Sequence, residues 1–563
     1  MTGLVLGPLL RHVDEHGASL WVETDGPCRV RVSTPGVDPA EAVTFAVHGH
    51  HYALVRLEGL EPGRRYPYAV ELDGVQVWPD EGSGLPPSVV PTLDHAKPLR
   101  LAYGSCRTSV SHDEKGNRTH GVDALRAFGL RMAGLTDSTH ADDPDPDEPR
   151  WPDLVVFLGD QVYADETTEE MQDFIEQRRG LDTPPGKELK DYEEYAHLYR
   201  LAWSDPVNRW LLSTLPSQMI FDDHDVRDDW NTSQSWKDDM EATDWWHDRI
   251  VGGLSSYWVY QHLGNMTPSE LADDRCWQEV LAHGDEPGWD AGPMLDAFAE
   301  RTDQEPTAYR WSYVRDLGEQ ARLVVVDSRA ARVLEPERRG LLDDEELAWL
   351  DDQLRGDVDH LLIGTSLPFL LAPGLHYVEA FGEALAGGAW GRRLAGPGES
   401  LRQVVDLEHW AAFQRTFTDV AEMVLEVARG ERGRPPSTIT FLSGDVHHSY
   451  LSTVKPPEGT HSRILQAVCS PIRNPLPRVM RFATAALSYG VAGPIGHVVA
   501  RSAKVPDAPF EWRLVEGPWF DNNLAVLEVH GRDLRLWWAT GCVDGDAHDR
   551  PRLARVADVT VPG

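Results

Sequence analysis

Four short turns carry most of the side chains able to do chemistry. In chain order they are Gly104-Ser-Cys-Arg107, Gly159-Asp-Gln-Val-Tyr-Ala-Asp165, Asp222-Asp-His-Asp225 (with Arg227 and Asn231 close behind) and Ser443-Gly-Asp-Val-His-His448. Asp160, Asp223 and Asp445 offer hard oxygens and His447 an imidazole nitrogen. Cys106 and Tyr163 must each lose a proton to bind a metal well. A thiolate and a phenolate in one site cost free energy at neutral pH unless a highly charged cation offsets them, which points to an ion such as ferric iron. Asp160 and Tyr163, at i and i+3 on a turn, can reach the same or adjacent ions, while Asp223, Asp445 and further oxygens suit a second, harder divalent ion. Asp222 reads as a residue that orients a ligand, and Asp225 and Asn231 as either ligands or turn residues. His448 is expected on the opposite strand face from His447, because successive side chains alternate.

Each turn follows an apolar run with the character of a strand: residues 100–104, 154–158, 217–221 and 438–442. Further strands are expected at 321–326 and 360–364. Helical periodicity covers 192–203, 207–215, 344–354 and 408–429. Strands alternating with helices argue for an α/β fold, and open α/β sheets collect ligands at the carboxyl ends of their strands. The first 95 residues differ. Short alternating runs separated by Gly, Pro and Asp predict an all-β, immunoglobulin-like domain over 1–95, joined by a proline-rich stretch to a catalytic domain over 99–563. Residues 523–529 and 533–538 read as a C-terminal hairpin, and the Asp/Pro-rich stretch 136–152 as an exposed loop. His48-Gly-His-His51 is expected at a solvated strand edge.

The four turns resemble the signature of the calcineurin-like metallophosphoesterases, specifically their alkaline phosphatase D (PhoD-like) branch. In that branch the blocks look like SC, GDxxY, DDHE/D and GDVH. Here they are matched in order by Ser105-Cys106, Asp160 to Tyr163, Asp222 to Asp225 and Gly444 to His447. The resemblance implies a four-layer α/β/β/α sandwich preceded by a β-domain. It also implies that Cys106, Tyr163 and His447 hold one metal, that Asp160 bridges, and that Asp223 and Asp445 hold the second. His224 is implied as proton donor to the leaving group, and the implied metals are iron with calcium or another divalent ion. The superfamily's separate metal-binding His, sought at the strand end 364–368, has no clear equivalent there.

The implied chemistry is attack on a phosphate ester by hydroxide, since two cations roughly 3.5–4 Å apart lower the pKa of a shared water from ~15.7 toward neutrality. Phosphomonoesters are the first expectation and a phosphodiesterase of phospholipase D type the second. A non-catalytic metal-containing scaffold is the alternative of another class. Arg107, Arg227 and the pair Arg392-Arg393 are candidates for clamping the phosphate. They matter because the 563-residue chain carries 53 Lys+Arg against 91 Asp+Glu, a net −38, so an anionic substrate must be met by localised cations. The same field disfavours nucleic acid as a partner. Five scattered cysteines with no CxxC pair argue against a disulfide framework. No signal peptide or twin-Arg motif is read, so a cytoplasmic location is expected. The uncharged stretch 482–500 contains Gly and Pro and reads as a packed helical pair or lid rather than a membrane span.

Overall fold

The computed structural model describes residues 2–80, 82–136, 151–335, 338–386, 389–390, 408–477, 481 and 492–563. Arg392 and Arg393, most of the Asp/Pro-rich loop and most of the stretch 482–500 lie outside these residues; of the last, Ala492–Ser502 forms a helix. No helix among the described residues is long and apolar enough to cross a membrane.

The N-terminal part contains ten strands: β1 (Leu4–Val13), β2 (Gly17–Thr24), β3 (Arg29–Ser33), β4 (Ala40–Val43), β5 (Phe45–Val47), β6 (His50–Glu58), β7 (Arg65–Pro67), β8 (Ala69–Leu72), β9 (Val75–Trp78) and β10 (Val89–Pro91). One sheet contains β1-β2-β6-β5 and another β4-β3-β8-β9. Their inward side chains, among them Leu20, Val22, Val30, Val32, Val55, Leu57, Val70 and Leu72, form one apolar cluster. The alternation of polar and apolar residues along these short strands is what buries one face of each sheet.

The rest is a mixed α/β fold. Its strands are β11 (Arg100–Gly104), β12 (Leu154–Leu158), β13 (Ser217–Ile220), β14 (Trp289–Asp290), β15 (Tyr313–Leu317), β16 (Ala321–Val326), β17 (His360–Thr365), β18 (Thr438–Ser443), β19 (Ser449–Val454), β20 (Arg463–Val468), β21 (Trp512–Trp519), β22 (Leu524–His530), β23 (Asp533–Cys542) and β24 (Arg552–Val561). They build a six-stranded sheet, β13-β12-β11-β22-β23-β24, and a seven-stranded sheet, β15-β16-β17-β18-β20-β19-β21. The continuous apolar runs of β12, β16 and β17 fit strands covered on both faces. In β16, Val324 and Val326 pack with Phe417 and Val424 of the helix Gln414–Arg429 and with Leu350 of the helix Asp344–Gln353. Leu323 and Val325 face the other way, into the cluster that holds Leu101, Val156 and Leu158 of the six-stranded sheet. The indole nitrogen of Trp538 on β23 donates to the Val468 carbonyl of β20, 2.9 Å away, so the two sheets also share a polar tie.

The hairpin expected at 523–538 is present as β22 and β23, and β22 pairs antiparallel with β11, Arg100 opposite Glu528 through Tyr103 opposite Ala525. Two differences from the sequence reading have physical causes. The N-terminal sheet is not built from the first 95 residues alone, because β14 pairs parallel with β5. The helix expected from residue 408 begins at Gln414; Trp410–Ala412 is a single 3₁₀ turn, and Glu408 and His409 precede it.

Candidate metal centre

β11, β12, β13 and β18 end where the four turns begin, and the turns converge. Three groups of ligand atoms form: Cys106 with Asp160 and His447, Asp160 with Asp223 and His224, and Asp222 with Asp223 and Asp445. Within each group the ligand atoms lie within 4.8 Å of one another. Asp160 belongs to two groups and so does Asp223, which makes the three groups one continuous centre. The structure thus brings together five of the six expected ligands in shared groups. It places Tyr163 beside them, next to Cys106 and Asp160.

Close backbone approach makes this convergence possible. A Cβ on Gly444 would stand 1.9 Å from Ser105 Oγ, 2.3 Å from Ser105 Cβ and 2.7 Å from the Leu158 carbonyl, so only glycine lets the fourth turn seat against the first two. Ser105 Oγ fixes that seating by accepting the Asp445 N–H at 3.0 Å. Gly159 has φ 114°, a value an L side chain rarely adopts. Cys106, Asp445 and His447 have φ of 58°, 63° and 49°, so three expected ligands sit in the left-handed region. Such conformations persist only where the surroundings impose them, and they gather at functional sites.

The electrostatics ask for cations. Asp160 is fully buried, and neither carboxylate oxygen has a hydrogen-bond partner among the described residues. Leaving a buried carboxylate unpaired costs several kcal/mol. Burial first, and then neighbouring carboxylates, push its pKa well up in the bare protein. Burial raises the Cys106 thiol and the Tyr163 phenol likewise, with Asp160 adding to both. Burial lowers the imidazole of His447 to about 4, leaving it neutral and ready to donate a lone pair. This donor set fits highly charged metal ions, which supply the compensation that the protein withholds.

His224 is held in place by Asp165, whose carboxylate oxygens lie 2.9 and 3.0 Å from Nδ1. Burial opposes its charge, but Asp165, Asp223 and Asp160 outweigh burial and hold the imidazolium well above its ordinary range. His448 stands apart, its Nδ1 2.7 Å from the Val446 carbonyl and its ring against Tyr450 and Phe520. Asp225 belongs to none of the three groups. It accepts the Asp222 N–H at 3.0 Å and a Gln261 amide N–H at 3.0 Å, and so acts as a turn anchor.

Two expected phosphate clamps are committed elsewhere. Arg107 donates from Nε and Nη2 to Asp123 at 3.0 and 2.8 Å, and from Nη1 to the Ala202 carbonyl at 2.8 Å. Asp123 in turn caps the helix Ala124–Met132. Arg227 pairs with Glu188 at 3.0 Å and lies over the Trp245 ring. Both are explained by fold-holding ion pairs, which is the more common fate of an Arg near a cleft.

Two groups that sequence reasoning missed complete the surroundings. Arg329, fully buried, ion-pairs with Asp222, Asp223 and Glu408. His409 lies with Nε2 2.9 Å from Asp445 Oδ2 and Nδ1 2.7 Å from Glu379, and with it Asp445 is held down to about 2 despite burial. The only signal for His409 was a charged Glu408-His409 pair at the front of an amphipathic stretch, which reads equally well as a helix face. His48 and His50 are not merely solvated: His48 meets Asp296 at 2.9 Å, and His50 bridges Glu23 and Glu193 at 3.0 Å each.

With this geometry in view, the likenesses to known proteins are informative. Residues 147–494 match the family described as PhoD-like phosphatase, more than half of the chain, and residues 1–90 match a domain of unknown function, DUF7800. The family match spans the second, third and fourth turns; Cys106 lies before it. No curated protein shows significant sequence similarity to the chain. The solved structure described as "Structure of PhoD" superposes with a TM-score of 0.58 at 13% identity, covering 99% of this chain and 90% of that one. A maltogenic amylase from S. marinus and a type III pullulan hydrolase from Thermococcus kodakarensis, at 10% and 11% identity, reach TM-scores of only 0.14 and carry no argument. The chain belongs to the PhoD-like phosphatases and is a phosphoric ester hydrolase.

Proposed function

We propose that the chain hydrolyses phosphate esters, phosphomonoesters first, at a two-cation centre in the cleft between its two large sheets, in a helix–sheet–sheet–helix sandwich. The observation that supports this reading best is Asp160, buried without a hydrogen-bond partner and shared by two of the three ligand groups. Cys106, Tyr163, His447 and Asp160 would hold one ion, for which ferric iron suits the thiolate and phenolate. Asp160, Asp223 and Asp445, with Asp222 beside them, would hold the second, for which calcium or another hard divalent ion suits the carboxylates. When bound, such a pair lowers the pKa of water and neutralises phosphoryl charge.

The protein's own groups do the rest. Arg329 aims Asp222 and Asp223 and opposes the burial that raises both carboxyls, and the His409–Glu379 pair aims Asp445 and holds it ionised. His224 donates a proton to the departing alkoxide. Because Asp165 engages Nδ1, Nε2 is the nitrogen left to donate it. With Arg107 and Arg227 tied up in ion pairs, the substrate's charge falls to the cations and His224, which an acidic protein requires.

The test is turnover of a chromogenic phosphomonoester and the matching diester by purified protein, with and without chelator, alongside elemental analysis. Chelator-sensitive monoester turnover with two metals per chain is the expected result. Turnover of the diester alone would favour the phosphodiesterase reading. A fully metal-loaded protein that cleaves neither would leave only a scaffold.

A further inference from the structure

Of the contacts by which the N-terminal domain meets the catalytic part, that of Arg11 leads to the frame of the metal centre. Arg11 on β1 is fully buried, and all four of its hydrogen bonds run to the catalytic part. Nη1 donates to the Tyr260 carbonyl at 2.8 Å, Nη2 to the Gln261 carbonyl at 2.6 Å and to Asn265 Oδ1 at 3.3 Å, and Nε to the Ser217 carbonyl at 3.2 Å. None of these partners is a carboxylate. A buried guanidinium with no counter-charge is costly, so its retention calls for an explanation other than ion pairing. Its way in is kept open by Gly264, where a Cβ would stand 2.4 Å from Nε.

What Arg11 grips is a π-helical turn, Trp258–His262, a conformation that leaves ordinary helical carbonyl pairing disrupted and occurs preferentially at functional sites. From that turn and from the α-helical turn Leu263–Asn265 that follows it, two side chains reach the third metal-binding block. Asn265 makes a two-way bond with Met219 of β13, the strand leading into Asp222, at 2.9 and 2.6 Å. Gln261 Nε2 donates to Asp225 Oδ1 at 3.0 Å, while Tyr199 accepts from the same amide at 2.9 Å. Asp225 also accepts the Asp222 N–H, and the backbone N–H groups of Gln161 and Val162, between Asp160 and Tyr163, are hydrogen-bonded to it. One carboxylate thus ties together the turns carrying Asp160, Tyr163, Asp222, Asp223 and His224, and the turn that aims it is clamped from the other domain.

We propose that Arg11 and Gln261 are positioning residues for the metal centre, which makes the N-terminal domain a working part of the hydrolase. This rests on the ligand assignment proposed above, so the test includes a readout independent of metal and turnover. Hydrogen exchange of the full chain is followed in peptides covering residues 159–165 and 220–228, in metal-free and as-isolated protein, for Arg11→Met, Arg11→Lys, Gln261→Met and the double variant Arg11→Met/Gln261→Met. Chelator competition reads the rate of metal release.

The expectation is exchange in those two peptides, and metal release, at least about tenfold faster in Arg11→Met and Gln261→Met, with kcat reduced about 10–100-fold and KM changed little. Arg11→Lys should fall between these and wild type. The double variant should lose no more than the worse single one, as residues acting in series do. Peptides from β23 and β24 should exchange as in wild type. Wild-type exchange in both turns of Gln261→Met, additive losses, or loosening spread evenly over the whole chain would each overturn the proposal. Should Arg11→Met fail to fold, Gln261→Met and Arg11→Lys still decide it. A wild-type protein that binds no metal would refute the ligand assignment, while exchange in the metal-free protein would still judge the tether.

Discussion

Replacing Gly444 by alanine tests whether close seating of the turns is what makes the centre. The added methyl would stand 1.9 Å from Ser105 Oγ, 2.3 Å from Ser105 Cβ and 2.7 Å from a backbone carbonyl on β12. Non-bonded contacts settle near 3.5 Å, so the fourth turn must move away from the first by roughly 1–1.5 Å. That movement breaks the bond from the Asp445 N–H to Ser105 and pulls Asp445 and His447 away from Cys106 and Asp160. Metal–ligand distances tolerate only about ±0.2 Å, and a misplacement of ~1 Å costs about 100-fold in rate, equivalent to ~2.7 kcal/mol of transition-state stabilisation. The fold should suffer less, about 1–3 kcal/mol as for other overpacked interiors. Elemental analysis, kcat/KM on a chromogenic ester and denaturant unfolding of Gly444→Ala measure the three quantities. Adding Ser105→Gly removes two of the three clashes and should return part of the metal content. A folded Gly444→Ala protein with full metal occupancy and kcat/KM within about threefold of wild type would show that the turns are not held together in this way.

Other outcomes follow from the same structure. If Tyr163 ligates ferric iron, the purified protein absorbs visible light through a tyrosinate charge-transfer band that Tyr163→Phe abolishes; an iron-replete, colourless protein would dismiss that ligand. His224→Ala should lose far more rate on poor leaving groups than on activated ones while keeping its metals, as a missing proton donor requires, and equal losses would point to another role. Arg329→Met should destabilise the fold by about 3–5 kcal/mol, because Asp222, Asp223 and Glu408 lose the buried guanidinium that pairs with all three; a wild-type denaturation midpoint would contradict this. His376, packed among Phe417, Trp512 and Tyr377, has its pKa lowered to about 3 by burial alone. The unfolded chain takes up that proton below about 6.5 and the folded chain does not. Stability is therefore complete above that pH and falls between about 6.5 and 3, by about 2 kcal/mol at pH 5. His376→Leu should lack this part of the acid sensitivity, which denaturant unfolding at pH 5 and pH 7.5 compares.

Much of the centre was legible because chemistry and local backbone coincide there. Cys106, Asp160, Asp223 and His447 each follow an apolar run by one to five residues, and a strand end is where a side chain becomes free to face a ligand. The helix Tyr192–Trp203 matches its periodicity residue for residue, because its apolar face is continuous and Asp191 caps it. What escaped notice depends on distant partners. Arg107 and Arg227 carry the right charge, but only the folded chain shows Asp123 and Glu188 claiming them. His409 sits in a segment whose polar pattern mimics a helix face, and its meaning appears only when Asp445 is brought alongside. The added strand escaped similarly: nothing local in Trp289-Asp290 announces that it will join a sheet begun at residue 4.

The placement of β22 also bears on how the protein is made. β11, whose end carries Cys106, has β12 on one side and β22 on the other. As the chain leaves the ribosome N-terminus first, β11 waits with an open edge until the strand beginning at Leu524 emerges. The turn carrying Cys106 can therefore settle only after that strand has emerged. Any metal ion would be acquired after that point, and a product terminated before Leu524 would expose an unpaired strand prone to sticking to its neighbours.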